Sequence, residues 1–434
     1  MPVITAYEAV VIGAGPAGAS AAILLARAGW SIALVEKQHF PRRKVCGECI
    51  AAPNLPLLDA LGVGDAFAAL AGPPLQRVEL WCGTEALSAA LPAARDAKHP
   101  WGRALAREYL DTLLLERARS AGATVLQPFA ARSVEGEPGD LRCDIVSLDD
   151  GRAATLRAPL VIDAHGSWQP LRSERSEWRA ARRGGDLLAF KVNLRDVSLS
   201  PGVLPVLAFA GGYGGIVVAD RGLATLACCV RAERLAACRR ASPGAPAGAV
   251  IEAYLKRECA SLRAALAAAS PVAPWLAAGP LKPGVRLPRG GAEGRTFLIG
   301  NAAGEAHPIV GEGISMALQS AWLLCEQLVH DRDVLRRGEA GRARQRQIQQ
   351  RYVARWRACF GPRLRIARGF AAAAMRPGAA AMVVPLLRRA PSLLGLGARW
   401  SGKTRCAVDL EALGTINSTR LADAAWSADR PAGV

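Results

Sequence analysis

The most constraining feature of this chain lies near its start, where an apolar run from Tyr7 to Ile12 stops at Gly13-Ala-Gly15-Pro-Ala-Gly18. Ala19 to Ala28 follow with Ala and Leu at helical packing positions, so the order reads strand, tight turn, helix. In that arrangement Gly13 permits the turn, Gly15 lets the backbone approach a pyrophosphate, and Gly18 lets helix pack on strand. The helix N-terminus turns unpaired N–H groups toward the phosphates. A second strand, Ser31 to Val35, ends in Glu36, 18 residues beyond Gly18. An acid there accepts hydrogen bonds from a ribose diol and disfavours a 2′-phosphate. These features make a dinucleotide site, and the motif alone leaves NAD and FAD both open.

Two later segments repeat the strand-to-glycine pattern. One is Leu160-Val-Ile-Asp163-Ala-His165-Gly166-Ser-Trp168, and the other is Phe297-Leu-Ile-Gly300-Asn301-Ala-Ala-Gly304. The second continues through His307-Pro308 and Gly311-Glu312-Gly313-Ile314 into a predicted helix, Ser315 to Leu328. A helix dipole aimed at a flavin pyrimidine stabilises the negative charge of the reduced ring. Between Leu171 and Arg286, alternating strands are expected over Leu187 to Leu194, Val203 to Ala210, Gly214 to Ala219 and Ala224 to Val230, forming an inserted antiparallel sheet. Gly211-Gly-Tyr213-Gly-Gly215 reads as a turn between two of them.

At 434 residues, with 51% hydrophobic and 21% charged, the chain can fill a core of two to three regions and is not disordered. Its net charge of +18 points to something anionic or to a plain arginine bias. No helix-turn-helix, zinc-finger or aromatic RNA-binding pattern accompanies the charge, so no nucleic-acid partner is expected. Eleven cysteines without an export signal read as reduced thiols in a cytoplasmic protein. The lone Cys46-Gly-Glu-Cys49 lacks the further ligands a metal needs, so none is expected. Phe370 to Leu396 is apolar but broken by Arg376, Pro377, Arg388, Arg389 and Pro391, which excludes a spanning helix.

The whole pattern, over about residues 5 to 330, resembles the geranylgeranyl reductase and FixC-like branch of the p-hydroxybenzoate hydroxylase flavoprotein superfamily. That resemblance implies FAD, held by an α/β, Rossmann-like FAD-binding fold with an inserted antiparallel β-sheet substrate domain and a C-terminal helical region. On that plan residues 1–75, 101–170 and 286–333 build the FAD-binding domain, 76–100 and 171–285 the substrate domain, and 334–434 the helical region. The cofactor contacts it implies are Gly13, Gly15, Pro16, Ala17, Gly18, Glu36, Lys37, Lys44, Cys46, Gly47, Arg107, Gly300, Asn301, Gly311, Gly313 and Ile314. Asn301 stands where the family has Asp, and His165-Gly166 replaces its usual Asp-Gly. The WxWxIP signature of flavin-dependent halogenases is absent.

Phe40-Pro-Arg42-Arg43-Lys44-Val-Cys46-Gly47-Glu48 resembles the family's PxxKxCGG segment, with Glu48 in place of the second glycine. The resemblance puts Cys46 and Gly47 near the isoalloxazine ring, where neighbouring cations favour a thiolate. Cys46 is therefore a candidate catalytic thiol, or else a small packing residue. His307 is the best acid/base candidate, or else a helix-cap histidine. Tyr213, in the sheet that roofs the substrate pocket of resembling enzymes, is the candidate substrate contact, or else a strand-end packing residue.

In the C-terminal third, Val334 to Arg368 reads as helix, with Ile348, Tyr352 and Trp356 at packing intervals, and Ser418 to Val434 as a loosely held end. Gly369 to Trp400 has the profile of a tunnel-lining or membrane-interface segment, and equally of an ordinary helical subdomain. The expected function is an FAD-dependent reductase or dehydrogenase acting on a lipophilic substrate such as an isoprenoid, a polyketide-derived lipid or a quinone. NAD(P)H would be a transient electron donor, because no second dinucleotide motif is present. The alternatives are a class A monooxygenase hydroxylating an aromatic ring, and an electron carrier to a quinone or protein partner. The C-terminal third is where peripheral contact with the inner face of a membrane is expected.

Overall fold

The computed structural model describes residues 4–167, 183–220, 222–288, 294–390, 392–400 and 408. Trp168 and the segment Ser418 to Val434 lie outside the described residues. The strand Ala9–Ile12 is buried at every position, because both faces of its sheet are covered. That sheet has five parallel strands in the order Phe297–Leu298, Leu160–Asp163, Ala9–Ile12, Ile32–Val35, Thr124–Leu126. Helices Pro16–Arg27, Arg107–Ser120 and Gly313–Leu328 share one core with its first face, through Ile23, Leu25, Leu114, Leu318 and Trp322. On the second face, Val10, Val35 and Val161 meet Leu141, Ile145 and Leu156 of a four-stranded sheet.

The substrate-side sheet has eight strands. Leu187–Arg195 pairs antiparallel with Ala224–Arg231, which pairs with Gly212–Val218, which pairs with Val203–Phe209. The hairpin Arg77–Cys82 and Glu85–Ala90, from far earlier in the chain, joins by a parallel pairing of Arg77–Cys82 with Val203–Phe209. The stretch Gly211 to Gly215, expected as a turn, is strand from Gly212 onward. Gly211 itself is in a turn, and Tyr213 sits within the sheet. The glycines are required by close approach instead. A Cβ on Gly212 would lie 2.2 Å from the Phe209 ring, and one on Gly214 would lie 2.8 Å from the Ala227 carbonyl oxygen.

Beyond the second unit, helix Gly338–Ala374 buries Ile348, Tyr352, Trp356, Phe360, Leu364, Ala367 and Ala371 along one stripe. Most of that stripe packs on the core shared by helices Pro16–Arg27 and Gly313–Leu328, where Trp356 and Phe360 meet edge to face at 5.1 Å. Helices Pro377–Arg389 and Ser392–Trp400 complete a cap over the space between the two units.

Candidate functional site

The first glycine turn is shaped partly by packing and partly by an open space. Gly13 has φ +97°, and a Cβ there would sit 2.6 Å from the Ala164 carbonyl oxygen. A Cβ on Gly18 would fall 1.9 Å from the Gly13 carbonyl oxygen. Gly15 differs, because its nearest non-neighbouring atom would be Arg107 Nη2 at 3.6 Å. It faces a cavity, and helix Pro16–Arg27 starts beside it with no side-chain cap. Buried Glu36 accepts the Ala14 N–H at Oε2 (2.9 Å) and the Gln38 N–H at Oε1 (3.0 Å). Each oxygen keeps a lone pair for a ribose diol.

Beside Gly15 stands a cation cluster. Arg107 donates to Asp111 from Nε and Nη2, both at 2.6 Å, while Arg42 Nη2 lies 3.3 Å from the same carboxylate. Burial alone lowers the Arg107 pKa, but pairing with Asp111 outweighs it and holds the guanidinium firmly charged. Burial, with Arg107 and Arg42 adding repulsion, brings Lys44 down to about 8. Three cations, Arg42, Lys44 and Arg107, thus face two carboxylates, Glu36 and Asp111. That surplus positive charge, beside an open glycine turn and an uncapped helix N-terminus, fits a diphosphate.

The opposite rim comes from the last sheet strand. Gly300, at φ +59°, donates its N–H to Ser320 Oγ at 2.8 Å and packs so closely on Ala17 that a Cβ would approach it to 2.9 Å. Asn301 Nδ2 donates to Ser167 Oγ (2.9 Å), whose hydroxyl donates to Glu305 Oε1 (3.0 Å). Arg286 closes the chain on Glu305 Oε2 at 2.8 Å. Gly311 turns the chain at φ +62°, and helix Gly313–Leu328 begins with open space at Gly313. Pro16, Ala17, Cys46, Gly47, Gly311, Gly313 and Ile314 line the same cavity, whereas Gly13, Gly18, Glu36 and Lys37 are not among its lining residues.

The cavity measures about 630 Å³ and runs from this cradle beneath the eight-stranded sheet to the C-terminal cap. Its far wall is aliphatic and aromatic, including Leu80, Leu204, Ile216, Phe370, Val384 and Leu387. Cys46, half-buried on the near wall, accepts the Glu48 N–H at Sγ (3.3 Å). Tyr213 is buried, with its hydroxyl 3.3 Å from His307 Nδ1. Burial raises the Tyr213 phenol, and burial with Arg368 nearby lowers the His307 imidazole. At neutral pH the pair is therefore phenol and neutral imidazole, and in the Nε2–H tautomer the hydroxyl donates to Nδ1.

A buried polar group that the sequence does not bring together joins this near wall to the eight-stranded sheet. Glu48, fully buried at φ +61°, receives hydrogen bonds from Lys191 Nζ, Thr225 Oγ1 and the Arg107 N–H, the last at 3.0 Å. Lys191 and Thr225 are buried on facing strands of the substrate-side sheet. The sequence signals were Glu48 in place of the family's second glycine and a single lysine inside the apolar strand Leu187–Arg195. Burial, helped by the Glu48 charge, pushes nearby Asp220 up to about 6.

The family model described as "FAD binding domain" matches residues 6–355, most of the chain. A tryptophan 2-halogenase of Chondromyces crocatus is 31% identical over 173 residues, 36% of this chain and 32% of that protein. A menaquinone reductase of Mycobacterium tuberculosis is 30% identical over 171 residues, 39% of this chain and 40% of that protein. The matches therefore span well under half of these relatives. Among solved structures, a myxobacterial chondrochloren halogenase superposes with TM-score 0.71 at 18% identity, covering 95% of this chain and 96% of that one. A geranylgeranyl bacteriochlorophyll reductase-like protein of Thermoplasma acidophilum gives 0.66 at 18% identity, covering 97% and 98%. A glycine cradle built for a diphosphate and a family match that spans all three strand-to-glycine segments agree: the chain belongs to the FAD binding domain family of the p-hydroxybenzoate hydroxylase flavoprotein superfamily, whose members are oxidoreductases.

Proposed function

We propose that this flavoprotein is a reductase or dehydrogenase of a lipophilic substrate, an isoprenoid, polyketide-derived lipid or quinone, with NAD(P)H as a transient electron donor. The observation that carries the proposal is the cavity of about 630 Å³, whose predominantly apolar lining extends from the cofactor cradle to the C-terminal cap. Bound FAD supplies two-electron transfer at its ring. Arg42, Lys44 and Arg107 would neutralise its diphosphate, and the N-terminus of helix Gly313–Leu328 would favour negative charge on a reduced ring bound beside it. The apolar wall excludes water from the reacting end. Tyr213, a lining residue of the cavity, holds a proton at its hydroxyl, and His307 Nδ1 at 3.3 Å can take up or resupply that proton. The name of the menaquinone reductase relative is in keeping with a quinone-sized substrate.

The test is anaerobic mixing of the reduced holoprotein with a short-chain menaquinone and, separately, a polyprenyl lipid. Reoxidation of the flavin without oxygen by either one is expected. Reoxidation only by oxygen, with incorporation of an oxygen atom into an aromatic product, would replace the proposal with a monooxygenase. Tyr213→Phe and His307→Asn should each slow the anaerobic step by about 100-fold while leaving FAD content unchanged.

A further inference from the structure

The cap that closes the cavity exposes the kind of side chain that the rest of the molecule buries. Phe370, Met382, Val383, Leu386 and Leu393 all lie on it, and the other exposed large hydrophobics among the described residues, Ile4, Leu148, Val272 and Val285, are dispersed along the chain. Met382 and Leu386, 75% and 56% exposed, stand one turn apart on helix Pro377–Arg389. Val384 and Leu387 of the same helix line the cavity instead. Phe370, Val383 and Leu393 do both, so the cavity wall continues onto the outer surface.

The charge that the cap's own residues bring to this patch has one sign. Residues 370–400 contain four arginines and no Asp or Glu. Arg376, Arg389 and Arg399 are exposed around the apolar positions, while Arg388 pairs with Glu85. Among the described residues no helix is long and apolar enough to cross a membrane. A short helix with an apolar outer face and a rim of arginine matches the interface of a bilayer, apolar side chains among acyl chains and guanidinium groups among phosphates.

We propose that this cap docks the protein onto an anionic phospholipid bilayer, with Met382, Val383 and Leu386 below the headgroups and the cavity mouth opening on the acyl region. An acidic soluble protein would complement the arginines but leave Met382 and Leu386 facing water. The proposal concerns binding alone and holds or fails independently of the substrate.

Flotation of the holoprotein with phosphatidylcholine vesicles, with and without phosphatidylglycerol, tests it. Flotation should require phosphatidylglycerol and weaken, without vanishing, as salt rises. The M382E/L386E variant should lower affinity at least about tenfold, and R376E/R389E should lower it too, both with unchanged FAD content and thermal unfolding. Three results would overturn the proposal. One is no flotation on phosphatidylglycerol vesicles. The second is M382E/L386E floating like the parent, which would mean a charge-only contact of the kind an acidic protein makes. The third is a parent dimer in solution that M382E/L386E converts to monomer, which would assign the patch to a second copy of this chain.

Discussion

Lys191→Met removes the cation from an almost fully buried carboxylate. Glu48 and Lys191 are each about 1% exposed, and the pair joins the loop after Cys46 to the substrate-side sheet. Breaking a buried pair by deleting one partner costs about 3–5 kcal/mol. Glu48 keeps Thr225 Oγ1 and the Arg107 N–H as donors, so the low end applies, about 3 kcal/mol, or roughly a hundredfold in the folded-to-unfolded ratio. Glu48→Gln with Lys191→Met leaves a neutral acceptor for the same donors and should recover about 2 kcal/mol of that loss. Glu48→Gly relieves a left-handed backbone worth about 1–2 kcal/mol but strands the Lys191 ammonium, and should still be destabilising. Urea unfolding of the holoproteins, run as a double-mutant cycle, measures each quantity. A Lys191→Met variant within about 1 kcal/mol of the parent, or single losses that simply add in the double variant, would refute the idea that this pair is held as a desolvated unit.

Two glycines of one motif should respond differently to a side chain. Gly15→Val places its methyls in open cavity beside Arg107, so the protein should fold with normal circular dichroism but purify without flavin absorbance, whereas Gly18→Ala should fail to fold stably because its Cβ would lie 1.9 Å from the Gly13 oxygen. Asp220, with a folded pKa pushed up to about 6 by burial and Glu48, binds protons more readily folded than unfolded between about pH 4 and 6. Stability therefore falls as pH rises through that window, and Asp220→Asn should unfold at higher urea than the parent at pH 7.5 but not at pH 4.

The parts of this site that could be read from sequence are those whose residues are near one another in the chain. The turn from Gly13 to Gly18 and the acid at Glu36 announce themselves because each glycine answers a local steric demand. The strand expected at Leu187 to Leu194 is found at Leu187–Arg195, since a short, largely apolar segment flanked by Gly184, Gly185 and Asp186 is of strand length. Glycines 211 to 215 misled because a glycine demanded by a turn and one demanded by a neighbouring strand look alike in one dimension. The Glu48–Lys191 pair spans 143 positions, and composition argues against burying either residue, so only the folded chain brings it into view. The approach of Tyr213 to His307, 94 positions apart, has the same cause, although both residues stood out singly.

The hairpin formed by Arg77–Cys82 and Glu85–Ala90 has a consequence for how the protein is made. Its sheet partner, Val203–Phe209, emerges from the ribosome more than a hundred residues later, and the parallel sheet waits longer still for Phe297–Leu298. Neither unit is a continuous stretch of chain, so neither can finish before the other has been threaded through it. The cofactor cradle draws on both Gly15 and Gly313, so FAD has no complete site on a nascent chain until about residue 330 is available. Until Leu276–Leu281 has emerged, the apolar strands of the substrate-side sheet have unpaired edges, the condition under which chains aggregate. Flavin supply during synthesis is thus expected to govern yield, with the cofactor acting as the clasp that draws the two interleaved units together.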